Sequence, residues 1–240
     1  MPSSGGGRTY CLRIAAVSLL LTGCTGNTTH QVCAVVLAVE GAVTADGQRV
    51  VALSGTDPGP PVCPGTIIHT STDSSAQIAC LTNALVHLSE NSTVEIANLN
   101  LRKDGNETED EMEARTVRCR LATGTITIAY QGAEGVSEFI AVTPHGTLIA
   151  KFSCVVRLVV TNEAVRVACA SGMVTFEPSN AGPPVLVEAG FVAESAARGT
   201  TLVPATTTAA GQQAISNALE VERQLMALAM AKRATLPWKP

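Results

Sequence analysis

Aromatic residues are the scarcest class in this 240-residue sequence, which has one Trp, two Tyr and four Phe. A chain with so little aromatic bulk has few side chains suited to lining a deep ligand pocket. Its core must instead be filled by the Val, Ile, Leu, Ala and Cys that recur along it. The composition therefore favours a scaffold that presents surfaces and edges over an enzyme.

Positive charge is also in short supply, because 16 Lys and Arg face 20 Asp and Glu and give a net charge of −4. Binding to nucleic acid relies on clustered Lys and Arg that neutralise phosphates. The sequence therefore predicts no nucleic-acid partner.

A long hydrophobic run is missing as well. The apolar stretch near the N-terminus extends from Ile14 to Leu21 and is interrupted only by Ser18. It is far shorter than the roughly 20 residues that a membrane-spanning helix needs. Two arginines precede it, as in the positive first part of a secretory signal. We therefore expect residues 1–23 to be a cleaved leader, whose loss moves the net charge from −4 to −6 because it carries two arginines and no acid.

The leader ends in Leu21-Thr22-Gly23-Cys24, which resembles the lipobox of bacterial lipoproteins. The resemblance implies that Cys24 is acylated and becomes the first residue, so that its acyl chains hold the protein on the lipid bilayer. Each buried methylene contributes about 0.8 kcal/mol to such anchoring. Thr25 rather than Asp follows, which implies the outer membrane rather than the inner membrane. The alternative is an ordinary signal peptide with an incidental cysteine.

Six cysteines remain once Cys11 leaves with the leader and Cys24 carries lipid. None of them has the Cys-x-x-Cys spacing of a metal knuckle. An even number in an oxidising compartment allows disulfides, whereas cysteines at apolar strand positions also serve as small buried hydrophobes. Cys154 and Cys169 form the best candidate pair, since both lie on one face of a predicted hairpin.

From Cys33 to about Ala193 the sequence is a succession of short runs that alternate between apolar and polar residues. In "RTVRCRLATGTITIAY", for example, Val117, Cys119 and Leu121 face one way while the arginines between them face the other. Turn signals separate the runs at 45–47, 82–84, 89–91, 162–163, 171–172 and around Gly190. Strands at this spacing without intervening helices predict an all-β sandwich or β-solenoid.

The order of these strands and turns resembles the FecR domain, the envelope-exposed module of FecR-type regulators. The segments that carry the resemblance are "AVEGAVTADG", "PGTIIHTSTDSSAQIACLTNALVHLSENSTVEI", "LATGTITIAY", "FIAVTPHGTL", "VRVACASGMVTF" and "VLVEAGFVA". Together they extend over about 160 residues. The resemblance implies the fold of that module and a role in protein contacts outside the cytoplasm.

Two departures from the family limit what the resemblance implies. Ala150-Lys151-Phe152 stands where the family has Arg-Gly-Thr, so any role of that turn is in doubt. FecR-type regulators also carry a cytoplasmic helical region and a transmembrane helix before the module, whereas this chain has a lipobox there. Anti-sigma activity is therefore not implied.

Residues that could carry chemistry are dispersed along the sequence. His69, His87 and His145 are far apart and have no second ligand at strand or helix spacing. The run "DGNETEDEME" at 104–113 holds six carboxylates, but it lacks the spacing of an EF-hand and is expected to be a solvated loop. Nucleophile elbows, zinc-protease helices and Walker loops are absent. We therefore predict no catalytic residue, no metal site and no cofactor.

The composition changes after Ala193. We expect a β domain at 33–195 after a tether at 24–32, then a Thr/Ala-rich linker at 196–211, a helix at 212–234 and a tail at 235–240. The helix groups Ile215, Leu219, Met226 and Met230 on one face and Val221, Leu225 and Leu228 on another. Three partners remain open for this broad apolar side: the protein's own sheet, another protein or second copy, and the membrane surface.

These patterns predict a bacterial envelope lipoprotein that faces the periplasm. Its FecR-like domain is expected to be a non-catalytic interaction or sensory module with an envelope protein as partner. The alternative is a structural lipoprotein that docks on cell-wall polysaccharide.

Replacing Cys24 by Ala tests the lipobox. Without the thiol no acyl chain can be attached, so the protein is expected to move from the membrane fraction to the soluble periplasm. Cell fractionation followed by immunoblotting measures this. A Cys24→Ala protein that stays in the membrane fraction contradicts the interpretation.

Overall fold

The structure is a computed structural model that describes residues 28–51, 59–103, 114–132 and 137–232. It confirms the prediction of an all-β fold followed by a single long helix. The elements are β1 (Thr28–Gln31), β2 (Ala34–Glu40), β3 (Val43–Ala45), β4 (Gln48–Val50), β5 (Pro61–Val62), β6 (Ile67–Thr70), β7 (Ser75–Leu81), β8 (Ala84–Leu88), β9 (Thr93–Lys103), β10 (Ala114–Tyr130), β11 (Glu138–Thr143), β12 (Gly146–Ala150), β13 (Cys154–Val160), β14 (Ala164–Ser171), β15 (Met173–Pro178), β16 (Val185–Glu188), β17 (Phe191–Ala196), β18 (Gly199–Pro204) and α1 (Ala209–Lys232).

The strands form two sheets. The first sheet has the order β4–β3–β6–β9–β10–β11–β12–β15–β16, and β1 lies beside the second half of β9. The second has the order β5–β2–β7–β8–β10–β13–β14–β17–β18. All neighbours are antiparallel except β10 and β11, which run parallel.

Strand β10 belongs to both sheets. Its first part, 114–123, pairs with β9, and its second part, 124–130, pairs with β8 and β13. The strand changes sheet at Gly124, whose φ of +99° is one that side-chain-bearing residues rarely adopt. A Cβ at this position would lie 2.4 Å from the Cα of Ser92. Glycine is therefore required by both the backbone conformation and the space.

The core lies between the two sheets and draws on the inner face of each. Most of its members are Val, Leu, Ile, Ala and Cys, with Phe139 and Phe176 as its largest fully buried side chains. In β10, Val117, Cys119 and Leu121 are buried while the intervening arginines are exposed, which confirms the predicted alternation.

Helix α1 lies on the outer face of the second sheet. The residues buried along it recur every seventh position: Gly211, Ala218, Leu225 and Lys232. Near its start Ile215 packs with Ala168 and Val192, and near its end Leu225 packs with Leu85 and Ala129. Of the three partners left open by the sequence, the protein's own sheet is therefore the one observed. Leu219 and Met230, assigned to an apolar face, are exposed.

The predicted linker at 196–211 is wrong. Strand β18 pairs along its whole length with β17, and a 3₁₀ turn at Ala205–Thr207 leads directly into α1. The predicted tether at 24–32 is also too long, since β1 begins at Thr28. The predicted turns at 45–47 and 162–163 close hairpins. The predicted turns at 171–172 and around Gly190 connect strands that belong to different sheets.

The predicted disulfide is wrong as well. Cys154 and Cys169 are free, because the register of β13 and β14 places Val156 opposite Cys169 and a bulge follows Val155. The disulfide joins Cys33 and Cys63, which flank the paired residues of β2 and β5 and have Cα atoms 4.1 Å apart.

Replacing Gly124 by Ala tests the crossing of β10. Positive φ alone costs about 1–2 kcal/mol for an alanine, and the contact with Ser92 adds overpacking, so we expect a loss of about 2–4 kcal/mol in unfolding free energy. Gly47→Ala is the matched control, because Gly47 has φ of +77° with nothing within 4 Å of its Cβ position. Urea denaturation measures both variants. Equal losses would show that the crossing needs no close approach to Ser92.

Candidate functional site

The predicted lipidation site lies just before the first described strand. Leu21, Thr22, Gly23 and Cys24 are outside the described residues. Strand β1 begins at Thr28, opposite Lys103 at the end of β9. Three residues lie between Cys24 and Thr28, so the two positions are at most about 14 Å apart along an extended chain. Any group on Cys24 is therefore held close to this end of the first sheet.

We call the end of the molecule at which β1 begins, β9 ends and β10 begins the exit end, and strands of both sheets start or stop there. β10 starts here, opposite Arg102, and β11 runs parallel to it. Ser171 ends β14 in the second sheet, and Met173 begins β15 in the first, with only Gly172 between them. The side chains of Arg115 and Thr82, from different sheets, also form a hydrogen bond here. Loops of both sheets therefore meet beside the start of the chain's described part.

A cleft of about 670 Å³ opens between the exit end of the second sheet and the last turns of α1. Its apolar lining includes Leu85, Ala129, Val155, Met226, Ala229 and Met230. Its polar lining includes Thr82, Asn83, Arg115, Gln131, Ser153 and Glu222. The Asn83 side-chain amide donates a hydrogen bond to the Gln131 carbonyl oxygen at 3.1 Å and fixes one part of the rim. The cleft thus has an apolar floor and wall with a polar border.

The side chains of Tyr130 and Cys154 also line this cleft, and both are held protonated near neutral pH. Burial raises the pKa of Tyr130 to about 12, and the neighbouring Cys154 and Glu138 add to the rise. Burial also raises the pKa of the Cys154 thiol to about 12, with Cys169 contributing. Since the thiolate is the reactive form of cysteine, Cys154 is a poor nucleophile near neutral pH. The geometry suits non-covalent binding.

The other candidate groups for chemistry are buried or dispersed. Burial raises the pKa of Cys119 to about 12 and that of Cys169 to about 11. His69 is exposed on β6, and His145 lies in the turn after β11 with its Nε2 2.9 Å from the Thr161 carbonyl oxygen. Among the described residues no three His, Cys, Asp or Glu side chains are grouped as a metal site would require. The acidic run 104–113 lies outside the described residues.

A row of polar side chains crosses the face that α1 covers. Gln77, His87, Thr127 and Arg157 occupy neighbouring positions on four successive strands. Arg157 donates to the buried Thr127 hydroxyl at 3.2 Å. Burial lowers the pKa of His87, and the positive charge of Arg157 lowers it further. The negative charge of Glu40 raises the pKa in part, but the net shift is downward. Gln77 Oε1 and His87 Nδ1 find no hydrogen-bond partner in the described part of the chain.

Strand β18 is an open edge of the second sheet. It pairs with β17, and no other described strand lies beside it. The Ala205 N–H donates to the Gly190 carbonyl, so by alternation the backbones of Thr200, Leu202 and Pro204 point away from β17. The strand carries no charge, and Leu202 and Val203 are 42% and 41% exposed. Sequence reasoning missed this edge because its composition is that of a linker.

Comparison with known proteins gives only a distant likeness. The sequence matches no protein-family model and no curated protein. Two crystal structures of a "putative anti-sigma factor" from Parabacteroides distasonis are similar to this structure, each with 12% sequence identity and a TM-score of 0.42. The similar region covers 57% of this chain and 59% of that chain. None of the described helices has the length and apolar character needed to cross a bilayer.

The covered position of His87 predicts a pH-dependent stability. Because its folded-state pKa lies below the unfolded value of 6.5, the unfolded chain takes up the proton first as pH falls. Stability is therefore fully present above pH 6.5 and is lost as the pH falls from there through the folded-state pKa. His87→Gln is expected to flatten the fall in unfolding free energy between about pH 7 and pH 5.

Urea denaturation at a series of pH values measures this slope. His69→Gln is the control, since it removes an exposed histidine from the other sheet and leaves the contribution of His87 in place. A slope unchanged by His87→Gln would show that the proton is taken up elsewhere.

Proposed function

We propose that this protein is a bacterial envelope lipoprotein, acylated at Cys24 and facing the periplasm, whose FecR-like β domain is a non-catalytic module that binds another envelope protein. The anchor is expected to lie in the outer membrane. Binding is through strand β18, to which an extended segment of the partner adds as a further strand.

Two features support export to the envelope. The Leu21-Thr22-Gly23-Cys24 sequence follows a short apolar run preceded by arginines. The disulfide between Cys33 and Cys63 is of the kind that persists in oxidising compartments such as the periplasm. The other four cysteines of the described part are free thiols buried in the core, where they act as small hydrophobic residues.

The single observation that carries the binding role is the open edge of β18. Sheet edges of this kind are normally blocked by charge, bulges or cover, because their free N–H and C=O groups pair with other chains. Within the described ranges nothing of this kind protects the outward backbone of Thr200 and Leu202 on β18, although Pro204 limits the edge to a few residues. A short, uncharged edge with exposed apolar side chains suits the addition of one peptide strand.

Site-specific photo-cross-linking in intact cells tests this role. With a photoreactive residue at Thr200, we expect one defined envelope protein to be captured and identified by mass spectrometry. Leu202→Lys places a charge on the edge and should abolish the cross-link. Leu186→Lys is the matched control, because Leu186 is 48% exposed on β16, the edge of the other sheet.

Two outcomes would contradict the proposal. One is a cross-link that is equally lost in both lysine variants. The other is sedimentation of the protein with purified sacculi, unaffected by Leu202→Lys and without any cross-linked protein, which would favour docking on cell-wall polysaccharide instead.

A further inference from the structure

The cleft at the exit end has no part in the proposed binding through β18. Its floor is formed by the side chains of Leu85, Ala129 and Val155, and its wall by Met226 and Met230 of α1. Met230 is 69% exposed, the most exposed of the large hydrophobic residues in the described chain. Methionine side chains are flexible and polarisable and adapt to ligands of variable shape. The cleft therefore offers an adaptable apolar channel open to solvent.

The cleft lies close to the first described strand, β1. Arg115 lines the cleft, and it is opposite Leu101 on β9, the strand that pairs on its other side with β1. Neighbouring strands are about 4.8 Å apart, so the start of the described chain is only about 10 Å away across the sheet. If Cys24 is acylated, as the proposed function holds, the bilayer surface lies within reach of the cleft mouth.

Among the residues that the structure describes, the polar border carries one charge of each sign. Arg115 and Glu222 both line the cleft, together with neutral hydrogen-bonding groups such as Ser153. A zwitterionic headgroup, with a phosphate and an ammonium, complements this pair, whereas a fatty-acid carboxylate complements only one of the two. A volume of about 670 Å³ is also within the range of pockets that enclose small ligands.

We propose that the cleft binds one acyl chain of a zwitterionic phospholipid from the bilayer on which the protein is anchored. The chain packs between Val155 and the methionines of α1, and the headgroup lies at Arg115 and Glu222. The lipid is held without covalent chemistry, in keeping with the protonated state of Cys154.

Photolabelling with a soluble single-chain phospholipid tests the proposal. The full chain carrying Cys24→Ser, purified without detergent, is incubated with lysophosphatidylethanolamine that bears a diazirine at the methyl end of its acyl chain. After irradiation, peptide mass spectrometry is expected to find saturable labelling at Val155 and at Met226 to Met230. Labelling spread over the surface, or labelling that does not saturate, would overturn the proposal.

Matched variants show whether the cleft is responsible. Met230→Glu puts a charge into the channel and Ser153→Trp fills it, and each should weaken labelling by about tenfold or more. Both positions are exposed, so folding should be retained. Leu219→Glu makes the same change at an exposed residue of α1 outside the cleft and should leave labelling unchanged. Equal loss in Leu219→Glu and Met230→Glu would overturn the proposal.

Two further measurements distinguish the proposed phospholipid from other occupants of the cleft. Labelling that appears only after Trp238→Ala would show that the C-terminal residues, and not a lipid, occupy the cleft. A diazirine fatty acid that labels the cleft as strongly as the phospholipid would show that the headgroup is not recognised and would overturn that part of the proposal. Because the probe is soluble, the result does not depend on acylation of Cys24. An unmodified Cys24 in the intact mass of the native protein would overturn the anchor alone.

Discussion

The passage of β10 from one sheet to the other is the constraint on which the rest of the structure depends. This strand pairs with β9 and β11 in the first sheet and with β8 and β13 in the second, so a single chain segment sets the register of both. The change of sheet requires positive φ at Gly124 and close approach to Ser92, whose side chain accepts a hydrogen bond from the Thr125 N–H at 2.9 Å. Since the sheets are tied covalently at this point, the core between them can be built from small branched side chains without losing alignment.

This arrangement also explains why the functional features share one end of the molecule. The crossing of β10 lies at one end of the sandwich, and the strands of both sheets end together at the other, where β1 begins and where Arg115 meets Thr82. The loops at that end form only part of a cleft. The remaining wall is supplied by α1, which lies on the second sheet, so the cleft exists only while the helix is docked. The helix is therefore part of the site as well as cover for an apolar sheet face.

The sequence predicted well the features that depend on residues close together in the chain. The alternation in β10 and the tight turn at Asp46-Gly47 are signals carried by neighbouring residues, and the structure confirms both. The features that it did not predict depend on distant partners. The composition of a Thr-rich segment is equally typical of a linker and of an edge strand. The segment 199–204 is a strand because it pairs with β17. Cys33 finds Cys63 because β2 pairs with β5, across 30 residues of sequence. The cleft has no local signature at all, because its lining comes from several strands, loops and the helix.

The way in which α1 is attached couples the cleft to the stability of the covered face. The helix makes two separate apolar contacts, one around Ile215 and one around Leu225. The polar row that includes His87 and Arg157 lies on the same sheet face and continues by register into Ala168 and Val192, which Ile215 contacts. The second contact positions Met226, one of the two methionines of the cleft wall. A ligand that packs against these methionines binds the docked helix in preference to the undocked one, and by linkage it stabilises docking by the same free energy. Protonation of His87 instead destabilises the folded chain, because burial and the positive charge of Arg157 both lower its pKa.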